Sequence, residues 1–164
     1  MYHKILVAID MSEMGQEVFK NALSLAVPNK HNNVKLMLLH VLSGEEENSP
    51  LPIPVDLKQI YPAAGNDLTL ETWREEWEEF KQTGLNMLGS HSEEATQLGV
   101  QTDYQQIPGT PGKMICQVAS EWKADLIVIG HRGLSGLKEL VLGSVSNYVL
   151  HHAPCSVLIV QPPN

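Results

Sequence analysis

Apolar positions along this chain alternate between two periods, and each change of period marks a change of element. Lys4-Ile5-Leu6-Val7-Ala8-Ile9-Asp10 is apolar at successive positions, which predicts a central strand buried on both faces. Met11-Ser12-Glu13 then offers a helix start, and Val18, Ala22, Leu25 and Ala26 mark an apolar stripe that ends before Pro28. Residues 34–42 predict a second strand. From about Leu68 a long helix is expected, with Trp73, Trp77, Phe80, Gly84, Leu88, His91, Ala95 and Leu98 on one inward face. Gly99 closes that helix, and 100–107 alternates as a third strand, expected at a sheet edge. Thr110-Pro111 caps a short helix carrying Ile115, Val118, Ala119 and Trp122. A fourth strand at 125–129, a helix at 144–152 and a fifth strand at 156–160 complete the pattern.

Strands that alternate with helices in this way predict an α/β fold. The expected architecture is a single doubly wound domain over residues 1–164, Rossmann-like, with a five-stranded parallel sheet and helices on both faces. One stretch breaks the alternation. Residues 43–67 contain several prolines and the acidic run Glu45-Glu46-Glu47, and read as a loop insertion that is either functional or poorly ordered.

Bulk properties narrow the function classes. A net charge of −8 argues against nucleic acid as a partner, which needs a clustered positive footprint. No apolar run approaches the ~20 residues of a membrane span. A strand pattern beginning at once after Met1 leaves no signal peptide to expect. Cys116 and Cys155 stand apart in apolar surroundings, as reduced packing residues of a cytoplasmic protein.

Candidate chemistry concentrates after the fourth strand. Gly130-His131-Arg132-Gly133 opens a loop that Gly143-Ser144-Val145-Ser146 closes, with the spacing G-x2-G-x9-G-S. A phosphate chain is held by backbone N–H groups that no Cβ covers and by a helix N-terminus facing the negative charge. Glycines 130, 133 and 143, placed between a strand and a helix, suit phosphate binding better than turn punctuation alone. Ser144 stands at the helix start and is the first choice for a side chain on phosphate, Ser146 is the second, and Val145 between them belongs to the same candidate binding turn. Arg132 and His131 either approach the phosphates or lie on the surface. Because the chain is acidic, the favourable field must be local, from backbone amides, a helix terminus and a metal ion where one is bound.

In a parallel sheet, ligands bind beyond the C-terminal ends of the strands, where the strand order reverses. Asp10, His40-Val41-Leu42 and the glycine loop all fall at such ends and are expected to share one crevice. The Asp10 carboxylate either accepts from ribose hydroxyls or a phosphate-bound metal, or caps the turn at Ser12. Val41 is placed to offer backbone groups to a base edge. Sharper motifs fail. Gly109-Thr110-Pro111-Gly112-Lys113-Met114 lacks the first glycine and the hydroxyl of a P-loop, no G-x-S-x-G elbow exists, and the histidines form no zinc pattern.

The glycine motif resembles the nucleotide-binding signature of the ATP-binding branch of the universal stress protein family. The segments 5–13, 124–130 and 152–160 are similar to the family's recurring segments. Met11 stands at a position often occupied by glycine in the family, and the 43–67 insertion is a further departure. The resemblance implies strand order 3-2-1-4-5, ATP or AMP as ligand with Mg or Mn accompanying ATP, and a homodimer paired through the last strand, 156–160. It maps Asp10 and Val41 to the nucleoside, and Gly130, Gly133, Gly143 and Ser144 to the phosphates. The function it implies is a stress-response regulator whose nucleotide occupancy modulates assembly or binding of an unidentified protein partner. A slow ATPase or nucleotidyl-transferring enzyme is the alternative. The absence of a convincing nucleophile–base pair favours the regulator.

Overall fold

The computed structural model of the chain describes residues 1–46, 48–50, 66–131 and 142–162, with backbone alone for 66–69. Its strands are β1 (Lys4–Ala8), β2 (Lys35–Leu42), β3 (Gln101–Pro108), β4 (Leu126–Gly130) and β5 (Ser156–Val160). The helices between them are α1 (Glu13–Ala26), α2 (Asn66–Gln97), α3 (Pro111–Trp122) and α4 (Ser144–His152), with a 3-10 segment, Val27–Asn32, extending α1. All strand pairs are parallel and the sheet order is β3-β2-β1-β4-β5, as the resemblance implied.

The apolar runs form strands because each inner strand is covered on both faces. Ile5, Val7, Leu36, Leu38, Leu126 and Val128 pack with α1 and α2 through Val18, Phe19, Ala22, Leu88 and Ala95. The alternate positions Leu6, Leu39, Val41, Ile127 and Ile129 pack with α3 and α4 through Ile115, Val118, Ala119 and Val149. One position breaks the rule. His40 falls on the α2 side between Leu38 and Leu42, fully buried, and its ring meets Phe80 with centroids 6.3 Å apart.

Local chemistry places the helix ends. Ser12 is the N-cap of α1, its Oγ accepting from the Gly15 N–H at 3.3 Å. Gly99, at φ +83°, ends α2 with its N–H on the Thr96 carbonyl while Val100 N–H reaches Ala95. Only a residue without Cβ adopts that left-handed turn at no steric cost. Pro111 opens α3 one residue after Thr110.

Several boundaries differ from expectation. β1 ends at Ala8 rather than Asp10, although Ile9 N–H still bonds the Leu39 carbonyl. α2 begins at Asn66, and Leu98, expected on its inward stripe, lies past its end and is 42% exposed. Most of the 43–67 insertion lies outside the described residues.

Candidate functional site

β1 leads to β2 on one side and pairs with β4 on the other, so the strand order reverses between β1 and β4. A cavity of about 430 Å³ opens there, beyond the strand C-termini. Its volume lies within the range of small-molecule sites. Asp10, Val41, Gly130, Gly143, Ser144, Val145 and Ser146 all line it. Arg132 and Gly133 lie outside the described residues.

At one end stands the N-terminus of α4. The first bond within this helix runs from Asn147 N–H to the Gly143 carbonyl, so the helix supplies no acceptor for the N–H groups of Ser144, Val145 and Ser146. Gly143 is the N-cap and brings no side chain to cover them. Partial positive charge therefore gathers at this end of the cavity. Ser146 also braces the site, since its hydroxyl donates to the Gly130 carbonyl at 2.8 Å and ties the helix to the end of β4.

Gly130 is needed for packing. A Cβ there would lie 2.5 Å from Met14 Cγ and 3.0 Å from Val18 Cγ2, so its absence lets α1 rest on the end of β4. His131 turns away from the surface. It is buried and its N–H donates to the Val160 carbonyl at 2.8 Å, with Nε2 lacking a partner among the described residues.

The wall that follows β1 and β2 is acidic. Asp10 is not itself the cap of α1 but holds it: its Oδ1 accepts from the Ser12 N–H at 3.1 Å and from the Ser12 hydroxyl. Gly15 packs so closely that a Cβ would fall 2.1 Å from the Asp10 carbonyl oxygen. Glu45 and Glu46 line the cavity beside it, and no lysine or arginine does so among the described residues. The cavity is thus polarised, with carboxylates at the β1/β2 end and helix N–H groups at the other.

His40 and Glu46 belong to this wall; the position of His40 near the end of β2 places it at the crevice, while Glu46 was not legible in the sequence as a site residue. Glu46 Oε2 lies 2.7 Å from His40 Nε2, and Glu46 Oε1 accepts the Met11 N–H at 2.8 Å. His40 Nδ1 faces Gln106 Nε2 at 3.1 Å, and that same amide nitrogen donates to the Lys81 carbonyl at 2.9 Å. The available signal was a lone histidine in an otherwise apolar buried strand, which requires hydrogen-bond partners.

Both ring nitrogens of His40 are engaged by protein groups. Cys116 and Cys155 are free thiols half-buried against the α3/α4 core, and burial raises both above the usual thiol range. Among the described residues no group of three or more His, Cys, Asp or Glu side chains is arranged to hold a metal, and no helix is long and apolar enough to cross a membrane.

Comparison with known proteins gives a consistent answer. Residues 1–161 match the model of the universal stress protein family. Universal stress protein Sll1388 of Synechocystis is 38% identical over 169 residues, covering 98% of both chains. Slr1101 of the same organism is 48% identical over 108 residues, which is 66% of this chain and the whole of that relative. Among solved structures, MJ0577 superposes with a TM-score of 0.72 at 24% identity over 100% of this chain and 99% of its own. A family protein of Arabidopsis thaliana with AMP bound gives 0.60 at 22% identity, covering 98% and 92%. A universal stress protein in complex with cAMP also gives 0.60 at 22% identity, covering 98% and 97%. With the family model matched over residues 1–161 and a relative 38% identical across 98% of both chains, this chain belongs to the universal stress protein family.

Proposed function

We propose that this protein is an adenine-nucleotide-binding regulator, holding AMP or ATP in the cavity between β1 and β4. The observation that carries this is the polarity of the cavity. A nucleotide has hydroxyl and amine donors at one end and phosphate at the other. The cavity has acceptor carboxylates at one end and helix N–H groups at the other. Asp10 and Val41 would hold the nucleoside, and the first turn of α4 with the glycine loop would hold the phosphates. Mg or Mn arriving with ATP would meet Asp10. Two structural neighbours were crystallised with AMP and with cAMP, which supports the choice of an adenine nucleotide.

Occupancy is read out through assembly or through a protein partner, in a cytoplasm that keeps both thiols reduced. The assembly surface is β5, an apolar edge strand whose Val157, Leu158 and Ile159 are only partly buried. The other edge, β3, carries Gln101, Thr102, Asp103 and Gln105 and is protected by polarity.

The test is calorimetry with AMP, ATP and cAMP on wild type and Gly143→Val, beside mass spectrometry of ligand released on denaturation. Gly143 has φ −58° and ψ 156°, which valine adopts, so the fold should stand while the branched side chain covers the α4 N–H groups. Affinity should fall at least about tenfold, or ~1.4 kcal/mol. No binding by wild type, or equal affinity in the variant, defeats the proposal. A single-turnover assay with labelled ATP separates a holder of nucleotide from a slow ATPase.

A further inference from the structure

The hydrogen bonds around His40 form a polarised chain with only one consistent assignment of donors. Its fixed point is the Lys81 backbone carbonyl, which can only accept. Gln106 must therefore present its NH2 there, and the same nitrogen faces His40 Nδ1 at 3.1 Å. A donor on Nδ1 requires that nitrogen to accept, so the imidazole proton sits on Nε2. Nε2–H then needs an acceptor, found in Glu46 Oε2 at 2.7 Å, while Oε1 takes the Met11 N–H at 2.8 Å. Both positions demand an oxygen, which a carboxylate supplies and an amide cannot. Burial raises the stakes. His40 is 0% and Glu46 8% exposed, so a misplaced donor here loses water as well as its partner.

The packing around the chain is equally restrictive. A Cβ on Gly84 would lie 2.6 Å from both His40 Nδ1 and Gln106 Nε2, so α2 closes the pair off from one side. The chain thus connects α2 and β3, neither of which lines the cavity, to Met11, whose neighbour Asp10 does.

We propose that Glu46 is a positioning residue for the nucleoside end of the cavity, set in place by the Lys81–Gln106–His40 relay. By holding the Met11 amide it fixes the β1–α1 turn, and with it the direction in which Asp10 meets a ligand. It also anchors the start of the loop after β2 against that turn. The wall is therefore formed before any ligand arrives. The ligand readout of this proposal rests on the nucleotide reading above, while its structural readouts do not.

The experiment uses the full-length 15N-labelled protein. Long-range 1H–15N correlation on wild type should find the His40 proton on Nε2; a proton on Nδ1, alone or together with Nε2, overturns the relay. Amide exchange at Met11 should be about tenfold faster in Glu46→Gln, and AMP affinity about tenfold lower. Gln106→Leu should shift both readouts in the same direction although residue 106 does not touch the cavity, an effect that a local role for Glu46 would not produce. If Glu46→Gln does not fold, the wild-type tautomer and the Gln106→Leu variant decide. Unchanged Met11 exchange in the folded variants overturns the proposal. If wild type binds no AMP, the nucleotide reading fails, and the tautomer and exchange results still judge the relay.

Discussion

Glycine at 84 illustrates how one residue is chosen against its own local preference. In a helix interior, alanine is favoured over glycine by about 1 kcal/mol. Here its methyl group would press on a buried imidazole and amide that are both held by other bonds. Overpacking of this kind costs roughly 1–3 kcal/mol, so Gly84→Ala should lower stability despite the gain in helix propensity. Urea denaturation of the two proteins checks the sign, and a stabilised variant contradicts it. His91 gives a second expectation at this scale. Its ring stacks on Phe19 with centroids 4.1 Å apart, and burial lowers its pKa, an effect that the Glu94 carboxylate partly offsets. The folded state thus prefers the neutral ring. This contribution is complete above the unfolded histidine value and is lost as pH falls from there through the lowered folded value. Stability should decline from pH 7 towards pH 5, with a shallower decline in His91→Phe, which keeps the stacked ring without the titration. Equal slopes in both proteins would remove His91 from the account.

Among the elements, the start of α1 joins capping to the site. Ser12 caps the helix and also engages Asp10, so Ser12→Ala should cost about 1 kcal/mol of stability and weaken AMP binding by loosening Asp10. Stability loss with intact affinity would separate the two roles. Elements of this kind were largely legible in the sequence. Among the described residues the apolar periods located every strand and α-helix to within a few residues, because each inner strand is buried on two faces and each helix on one. Ser12, Gly99 and Pro111 signalled their ends through backbone chemistry that acts locally. Leu98 was misread because helical spacing continues past the true end, which Gly99 sets. The convergence of Asp10, Val41, Gly130 and the Gly143–Ser146 segment was also legible, since strand C-termini in a parallel sheet share one end. The His40–Glu46 contact was not. Glu46 lies in an aperiodic loop, its second partner is 35 positions away at Met11, and no periodicity links them. The fit of Gly130 against Met14 and Val18, a packing demand beside its place in the cavity wall, was likewise not legible, because it exists only once α1 has packed.

At the scale of the whole molecule, the two sheet edges differ, and association should follow the apolar one. A second copy pairing along β5 would satisfy the unpaired backbone groups of both edges and cover Val157 and Ile159. Sedimentation at micromolar concentration should show a dimer for wild type and a monomer for Val157→Lys, which places a charge on the partly exposed stretch of the strand. A monomeric wild type, with or without ATP, rejects this interface.

The described residues that wall the cavity fall between Ala8 and Glu46 and, further on, at Pro111, Ile115, Ile129, Gly130 and 142–146, two groups separated in sequence by the whole of α2 and β3. A nascent chain still short of α4 possesses the acidic wall and none of the amides opposite it. Any molecule retained between the two stretches therefore recognises only a finished sheet. It would also resist separation of the chain's two halves, since pulling β1 from β4 divides its binding surface. Protease digestion with and without bound nucleotide should accordingly show protection spread across both halves, rather than confined to the segments that touch the ligand.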